Sequence, residues 1–229
     1  MILKTQNISK KFGGKQALCD VSFDLEQGQV YALLGENGSG KTTWMKIVAG
    51  LTKPSGGEIL FEDGPINWMS RSKIAYMSTE PYFYSWMTAE DVGKYYQDFF
   101  DDFRMDRYQQ LLGKMDLEHT TKVRALSSGM MAKLKIAVTM SREARLYLLD
   151  EPLNGIDLIA RDKIMGIILE SVSPDVTLVL SSHLVEEMEA VVSKAIFIQN
   201  GHLLELADVE DLRSRKGTSL ADYYRRLMA

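Results

Sequence analysis

The octapeptide GENGSGKT, Gly35 to Thr42, has the spacing GxxxxGK[ST] between an apolar run, VYALL, and a helix-forming run, TTWMKIVAG. Its three glycines let the backbone curl so that N–H groups point at phosphate oxygens. Lys41 adds a mobile cation for the β- and γ-phosphates, and the Thr42 hydroxyl can ligate Mg²⁺. The candidate nucleotide-binding residues are therefore Gly35, Glu36, Asn37, Gly38, Ser39, Gly40, Lys41, Thr42 and Thr43. The plainer reading, a glycine turn that happens to cap a helix, is disfavoured because strand, loop and helix follow in the required order. The motif implies a nucleoside triphosphate and, alone, no reaction.

A second stretch supplies the chemistry that the first lacks. LYLLDE, Leu146 to Glu151, is a continuous apolar run of the kind expected in a strand buried on both faces, and it ends in two carboxylates. Asp150 would hold Mg²⁺, directly or through water, and Glu151 could polarise a water against the γ-phosphate as general base. Without a phosphate loop in the chain, a strand simply leaving the core for solvent would be the better reading; with one, the two motifs supply complementary parts of a single site. A third run, VTLVLSSH, brings His183 to the carboxyl end of another buried strand, where such sheets gather ligand groups. His183 is read as a hydrogen-bonding partner of the γ-phosphate or the attacking water, whereas His119 and His202 are read as structural. Finally, LSSGM, residues 126 to 130, precedes a helical run to Met140, with Ser127 or Ser128 as N-cap. Its free N–H groups and helix dipole make a second potential anion site.

The elements that must hold these groups can be read from pattern. ILKTQNI, ALCDVSFDL and QVYALL read as strands separated by the Gly13-Gly14 and Gln27-Gly28 turns. KPSGGEILFEDG reads as a turn and short strand and KIAYMS as a further strand. The texture is helical between about Thr88 and Met140. Strand and helix then alternate through RLYLLDE, DVTLVLSSH and KAIFIQNGHLLEL, with a hairpin turn at Asn200-Gly201. This predicts an α/β fold: a phosphate-loop NTPase core with a largely parallel sheet, an N-terminal antiparallel β-subdomain and an inserted α-helical subdomain. The predicted division is 1–81 and 142–229 for the ATP-binding core and about 82–141 for the helical part. Cys19 falls in the alternation Cys19, Val21, Phe23, Leu25 and is expected on a buried strand face.

Composition limits the function classes. The 229 residues are 45% hydrophobic and 25% charged, with net charge -4 and no Lys or Arg block longer than three, so nucleic acid is not an expected partner. No stretch approaches the roughly 18 apolar residues of a membrane span, and no apolar signal core is visible; a cytoplasmic chain is expected.

With these stretches in hand, the chain resembles the nucleotide-binding cassette of ABC transporters over nearly its whole length. The family signature LSGGQ stands here as LSSGM, between phosphate loop and carboxylate strand, with Ser128 replacing the first glycine and Met130 the glutamine. The resemblance implies that Ser127, Ser128 and Gly129 bind the γ-phosphate of ATP held by a second cassette. LNGID resembles the family's D-loop, with Asp157 as its acidic residue. Phe12 resembles the aromatic that stacks on adenine; from the sequence alone a core phenylalanine at a strand edge is an equal reading. The family places glutamine after a stretch like IAYM; here Thr79 stands there with Glu80 beside it, so that a Thr79 contact to Mg²⁺ must come from a shorter side chain.

The resemblance implies a Mg²⁺-dependent ATPase subunit that dimerises on ATP. It would lie on the inner face of the cell membrane and work with a transmembrane permease on a separate chain. The aromatic runs PYFYSW and YYQDFF, between Pro81 and Phe100, are expected to have some rings in the core and others outside, docking a helix of that permease. The ending GTSLADYYRRLMA, without an added regulatory domain, resembles bacterial exporter-type cassettes, implying export of a drug, peptide or lipid. The rival readings are a soluble ABC ATPase acting on DNA or ribosomes, which predicts a basic face, a second cassette or a coiled-coil insertion, and a phosphate-loop kinase, which has no use for LSSGM or His183.

Overall fold

A computed structural model describes residues 1–80, 82–171 and 173–228. Two sheets form. In the first, β1 (Leu3–Phe12) pairs antiparallel with β2 (Lys15–Leu25) on one side and with β4 (Gly56–Phe61) on the other, and the short β5 (Gly64–Pro65) closes the edge beside β4. Between β2 and β4 in the chain, β3 (Val30–Leu34) and α1 (Lys41–Val48) belong to the second layer. After β5 come α2 (Trp68–Ser72), β6 (Ile74–Met77), α3 (Ala89–Phe99), α4 (Met105–Lys114) and α5 (Ser128–Met140). The remainder is β7 (Leu146–Asp150), α6 (Leu158–Glu170), β8 (Thr177–Ser182), α7 (Val185–Met188), β9 (Lys194–Gln199), β10 (His202–Asp208), α8 (Val209–Ser214) and α9 (Leu220–Met228).

The second sheet has the order β10-β9-β3-β8-β7-β6, parallel from β9 to β6, with β10 antiparallel at the edge. The apolar runs LYLL and LVL within these strands follow from this position, because both strands are buried along their whole length with packing on each face. Asn200 and Gly201 both take positive φ, as the two-residue hairpin turn between β9 and β10 requires. The apolar side of α1 lies between the two sheets: Trp44 meets Phe23 at a ring-centroid distance of 5.0 Å and donates its indole N–H to the Thr5 hydroxyl at 3.3 Å. The phosphate loop and its helix are thereby clamped between two β layers, and the loop stands at the carboxyl ends of the parallel strands, where polar groups can converge.

The insertion is helical, as expected. Thr88 caps α3 and exchanges hydrogen bonds with Asp91 in a capping box. Apolar residues of α3, α4 and α5 share one continuous core with Leu34, Leu149 and Phe197 of the sheet, so the helical part is not a separately cored unit. Arg142 fastens it to the core at their junction, with Nη2 donating to Asp102 at 3.0 Å and to the Ser72 carbonyl at 2.7 Å. The expected boundary after residue 81 falls on Pro81, which lies outside the described residues.

Cys19 departs from the alternation. It is half-buried, and Leu18 takes the buried position instead. The register slips between the pairs Ile8↔Val21 and Lys10↔Leu18, where Asp20 adopts φ 52, and such a bulge reverses the inward face on its far side.

Candidate nucleotide site

One cleft of about 430 Å³ is lined by Phe12, Lys15, Ala17, Asn37, Gly38, Gly40 to Thr43, Thr79, Glu151, Asn154 and His183. The loop that forms its floor depends on glycine. Gly38 (φ 83) and Gly40 (φ 114) lie in the left-handed region, and a Cβ on Gly40 would come within 2.7 Å of the Ala17 carbonyl oxygen. Gly40 offers no side-chain cap to α1, leaving the first-turn N–H groups available to an anion. Gly35 and Ser39 are buried behind the loop, where the Ser39 hydroxyl has no hydrogen-bond partner among the described residues. Exposed Glu36 and Asn37 form the rim of the loop.

Lys41 is buried and folded back onto its own loop, donating to the carbonyls of Gly35 at 2.7 Å and Glu36 at 3.1 Å. Burial pushes its ammonium below the ordinary lysine range, against the opposing pull of Glu151 and Asp150. Such a cation gains from a nearby phosphate what burial has taken away.

At the end of β7 the two carboxylates part company. Asp150 is wholly buried; its Oδ1 accepts from the Ser181 hydroxyl at 2.7 Å and its Oδ2 from the Tyr76 hydroxyl at 3.3 Å. Burial, with Asp150 alongside, raises the Tyr76 phenol well above its ordinary value and keeps it a proton donor. Glu151, at φ 49, turns out of the strand and donates its N–H to the Ser181 hydroxyl at 2.9 Å. A non-glycine residue held in this region costs of order 1 kcal/mol, a strain characteristic of functional sites. The turn sends the side chain into the cleft, where Oε1 stands 3.7 Å from Lys41 Nζ and Oε2 meets His183 Nδ1 at 2.9 Å. Oε1 is buried and without a hydrogen-bond partner among the described residues. Lys41, Glu151 and His183, assembled from three strand ends, thus form one contiguous polar chain.

The oxygens available suit Mg²⁺, which takes few protein ligands and keeps much of its water. Thr42 lines the cleft, whereas Asp150 is wholly buried with its two carboxylate oxygens accepting from Ser181 and Tyr76, so that it suits a hold on the ion through water. Thr79 is exposed on the cleft wall, and its carbonyl oxygen is held by Lys135 Nζ at 2.8 Å.

Phe12 is 53% exposed, so the core-phenylalanine reading is excluded; its ring stands at the mouth of the cleft with Lys10 Nζ 4.8 Å from the centroid. Ser127 is the N-cap of α5, accepting from the Met130 N–H at 3.2 Å. Neither Ser127, Ser128 nor Gly129 lines this cleft; both serines are exposed, and Gly129 is packed so closely that a Cβ would come 2.9 Å from the Gly155 carbonyl oxygen. Asp157 caps α6, accepting from the Ala160 N–H at 3.0 Å.

The sequence reading passed over Lys15, Asn154, Tyr76 and Ser181. Lys15 follows the Gly13-Gly14 turn beside Phe12, and Asn154 sits three residues after Glu151, signals too common to single out. Ser181 had a better one, a polar pair closing an apolar strand. The aromatic runs divide as expected: Phe83, Tyr96 and Phe100 pack on the core, while Tyr84, Trp86 and Phe99 are at least 57% exposed. Tyr84 and Trp86 stack at 5.8 Å. No described helix is long and apolar enough to cross a membrane.

Residues 18–154 match the family model described as ABC transporter. The lantibiotic transport ATP-binding protein SrtF of Streptococcus pyogenes is 34% identical over 205 residues, covering 89% of this chain and 89% of that protein. The bacitracin transport ATP-binding protein BcrA of Bacillus licheniformis is 31% identical over 224 residues, covering 93% of this chain and 72% of that one. A solved structure of an ATP binding subunit of an ABC transporter superposes with a TM-score of 0.87 at 25% identity over 100% of both chains.

Proposed function

The chain belongs to the ABC transporter family as an ATP-binding protein, and from that premise we propose that it hydrolyses ATP in a dimer of cassettes to drive export through a separate membrane subunit. The observation that carries the hydrolytic reading is the chain Lys41, Glu151, His183 within one cleft. Gly35 to Thr43 wrap the phosphates, Lys41 swings from the loop carbonyls to the β- and γ-phosphates, and Phe12 stacks on the adenine. Glu151 takes the proton from the attacking water, and His183 orients that carboxylate and the γ-phosphate. Thr42 and Asp150, with Thr79 at the edge, would hold Mg²⁺, which when bound offsets phosphate charge.

The dimer reading rests on the place of the signature. Ser127 and Ser128 are exposed, Gly129 is half-buried, and none of the three lines the cleft that contains Lys41 and Thr42, which fits a contribution to the γ-phosphate bound by a second copy or a related cassette. Residues 82–141 act as the helical subdomain that carries this signature, and Asp157 works in the intervening loop. The stacked Tyr84 and Trp86, with Phe99, suit docking of a membrane subunit, which would keep the chain at the inner membrane face. The relatives named for lantibiotic and bacitracin transport support a drug or peptide as cargo.

The variant Glu151→Gln tests the reading. It keeps the phosphate and Mg²⁺ contacts and removes the base, so ATP should bind and turnover should fall by about a hundredfold or more. Size-exclusion chromatography with Mg-ATP should then show a locked dimer. Turnover like that of the wild type would remove Glu151 from the mechanism.

A further inference from the structure

Lys135 lies in the apolar second half of α5, only 7% exposed. Its ammonium donates to the carbonyl oxygens of Ser78 at 2.9 Å and Thr79 at 2.8 Å, the two residues that follow β6 into the cleft. Among the described residues it has no carboxylate within 4.0 Å, although eighteen ion pairs of that reach exist elsewhere in the chain. A buried ammonium whose hydrogen bonds go to neutral carbonyls, with the Asp150 charge acting on it from beyond that reach, is a costly way to fill a core position; methionine would fill it without that cost. The side chain also lines a cleft of about 300 Å³ with Thr79, Ser128, Glu151, Asn154 and Gly155, which separates the signature helix from the hydrolytic carboxylate.

These contacts join two parts of the molecule that the proposed reaction must coordinate. One end of α5 carries Ser127, Ser128 and Gly129; less than three turns along the same helix, Lys135 grips the backbone that positions Thr79 beside Glu151. The same strand supplies Tyr76, whose hydroxyl reaches Asp150 at 3.3 Å. We infer that Lys135 is a positioning residue for hydrolysis, a latch that fixes the Ser78-Thr79 backbone to the signature helix so that movement of one is transmitted to the other. The inference rests on the proposed ATPase reading. It assigns to a main-chain clamp the tie that Thr79, with its short side chain, cannot supply.

Lys135→Met and Lys135→Arg test it, with steady-state ATP hydrolysis, binding of a fluorescent ATP analogue and hydrogen exchange over residues 74–80 as readouts. Lys135→Met should lower kcat at least about tenfold with analogue affinity within about twofold, because it leaves the phosphate loop untouched. Exchange over 74–80 should quicken while that of 146–150 stays as in the wild type. Lys135→Arg, which keeps a charged donor, should restore more than half of kcat and most of the protection. Should Lys135→Met fail to fold, Lys135→Gln carries the same test, since it removes the charge and shortens the reach by one atom. Wild-type kcat in the uncharged variants, or equal loss in Lys135→Arg, overturns the latch. Inactivity of the wild type counts instead against the ATPase reading, and the exchange measurement then decides the latch alone: unchanged protection over 74–80 in Lys135→Met overturns it.

Discussion

Two helix N-termini in this molecule look alike in sequence and differ in place. The start of α1 follows Gly38, Ser39 and Gly40; the start of α5 follows Leu126 and Ser127. Both present free N–H groups and the positive end of a helix dipole. At α1 the terminus has no side-chain cap, sits in a cleft and is joined by a buried lysine and a carboxylate. At α5 Ser127 already accepts from one N–H, Ser127 and Ser128 are exposed, and Gly129 is half-buried against Gly155. The difference teaches that a complete anion site needs walls as well as donors. The first terminus is enclosed with Lys41 and Glu151 in one cleft; at the second, Ser128 borders a neighbouring cleft of its own chain while Ser127 and Ser128 stay open to solvent, and in the proposed dimer a second cassette would face them.

The largest effect is expected at the exposed terminus. Ser127→Arg should cut hydrolysis by about a hundredfold or more, on the scale of losing a transition-state donor, while ATP binding to the monomer stays within about twofold. Mixed with Lys41→Ala, this dead variant should regain phosphate release, because one site of each mixed dimer then carries neither defect. Silence from that mixture, with subunit exchange verified and a mixture of Lys41→Ala and wild type active, would place Ser127 within its own chain's site.

At the walled terminus the expected loss appears in binding. Lys41→Ala should weaken ATP affinity by about 2 kcal/mol, roughly thirtyfold, the scale of a charged hydrogen bond. Isothermal titration checks this, and unchanged affinity would remove Lys41 from the phosphate contacts. Gly40→Ala should weaken binding comparably with all charges retained, since a side chain at φ 114 would press on the Ala17 carbonyl.

A smaller effect belongs to the rim. Phe12→Ala should cost about 1 kcal/mol of ATP affinity, roughly fivefold, and should cost a base-free triphosphate nothing. Equal losses for both ligands would mean that Phe12 shapes the loop and not the base contact. Smallest of all for hydrolysis is the double change Tyr84→Ser and Trp86→Ser. The soluble ATPase rate should hold while copurification with a membrane subunit falls; a lowered melting temperature with lost activity would assign these rings to the fold.

The sequence by itself determined the fold class, the phosphate loop and the paired carboxylates, because each is a local pattern with a local cause. Glycines at fixed spacing permit the curled backbone, and the four-residue apolar run LYLL ahead of Asp150 suits a strand buried on both faces. It also narrowed the N-cap of α5 to Ser127 or Ser128, since a serine before a helix former caps it wherever the helix lies, and the structure places the cap at Ser127. The inward phase of β2 was not legible at Cys19, because the bulge at Asp20 arises from pairing with β1. Nor could periodicity decide between a buried and an exposed Phe12, which turned on the mouth of a cleft made by distant segments. Only the tertiary structure brought Lys41, Glu151 and His183 into one chain of contacts, left Ser127 to Gly129 outside it, and set Lys135 against the carbonyls of Ser78 and Thr79. Those relations join residues up to 142 positions apart, from Lys41 to His183, and no local pattern encodes a distance that the order of strands in a sheet creates.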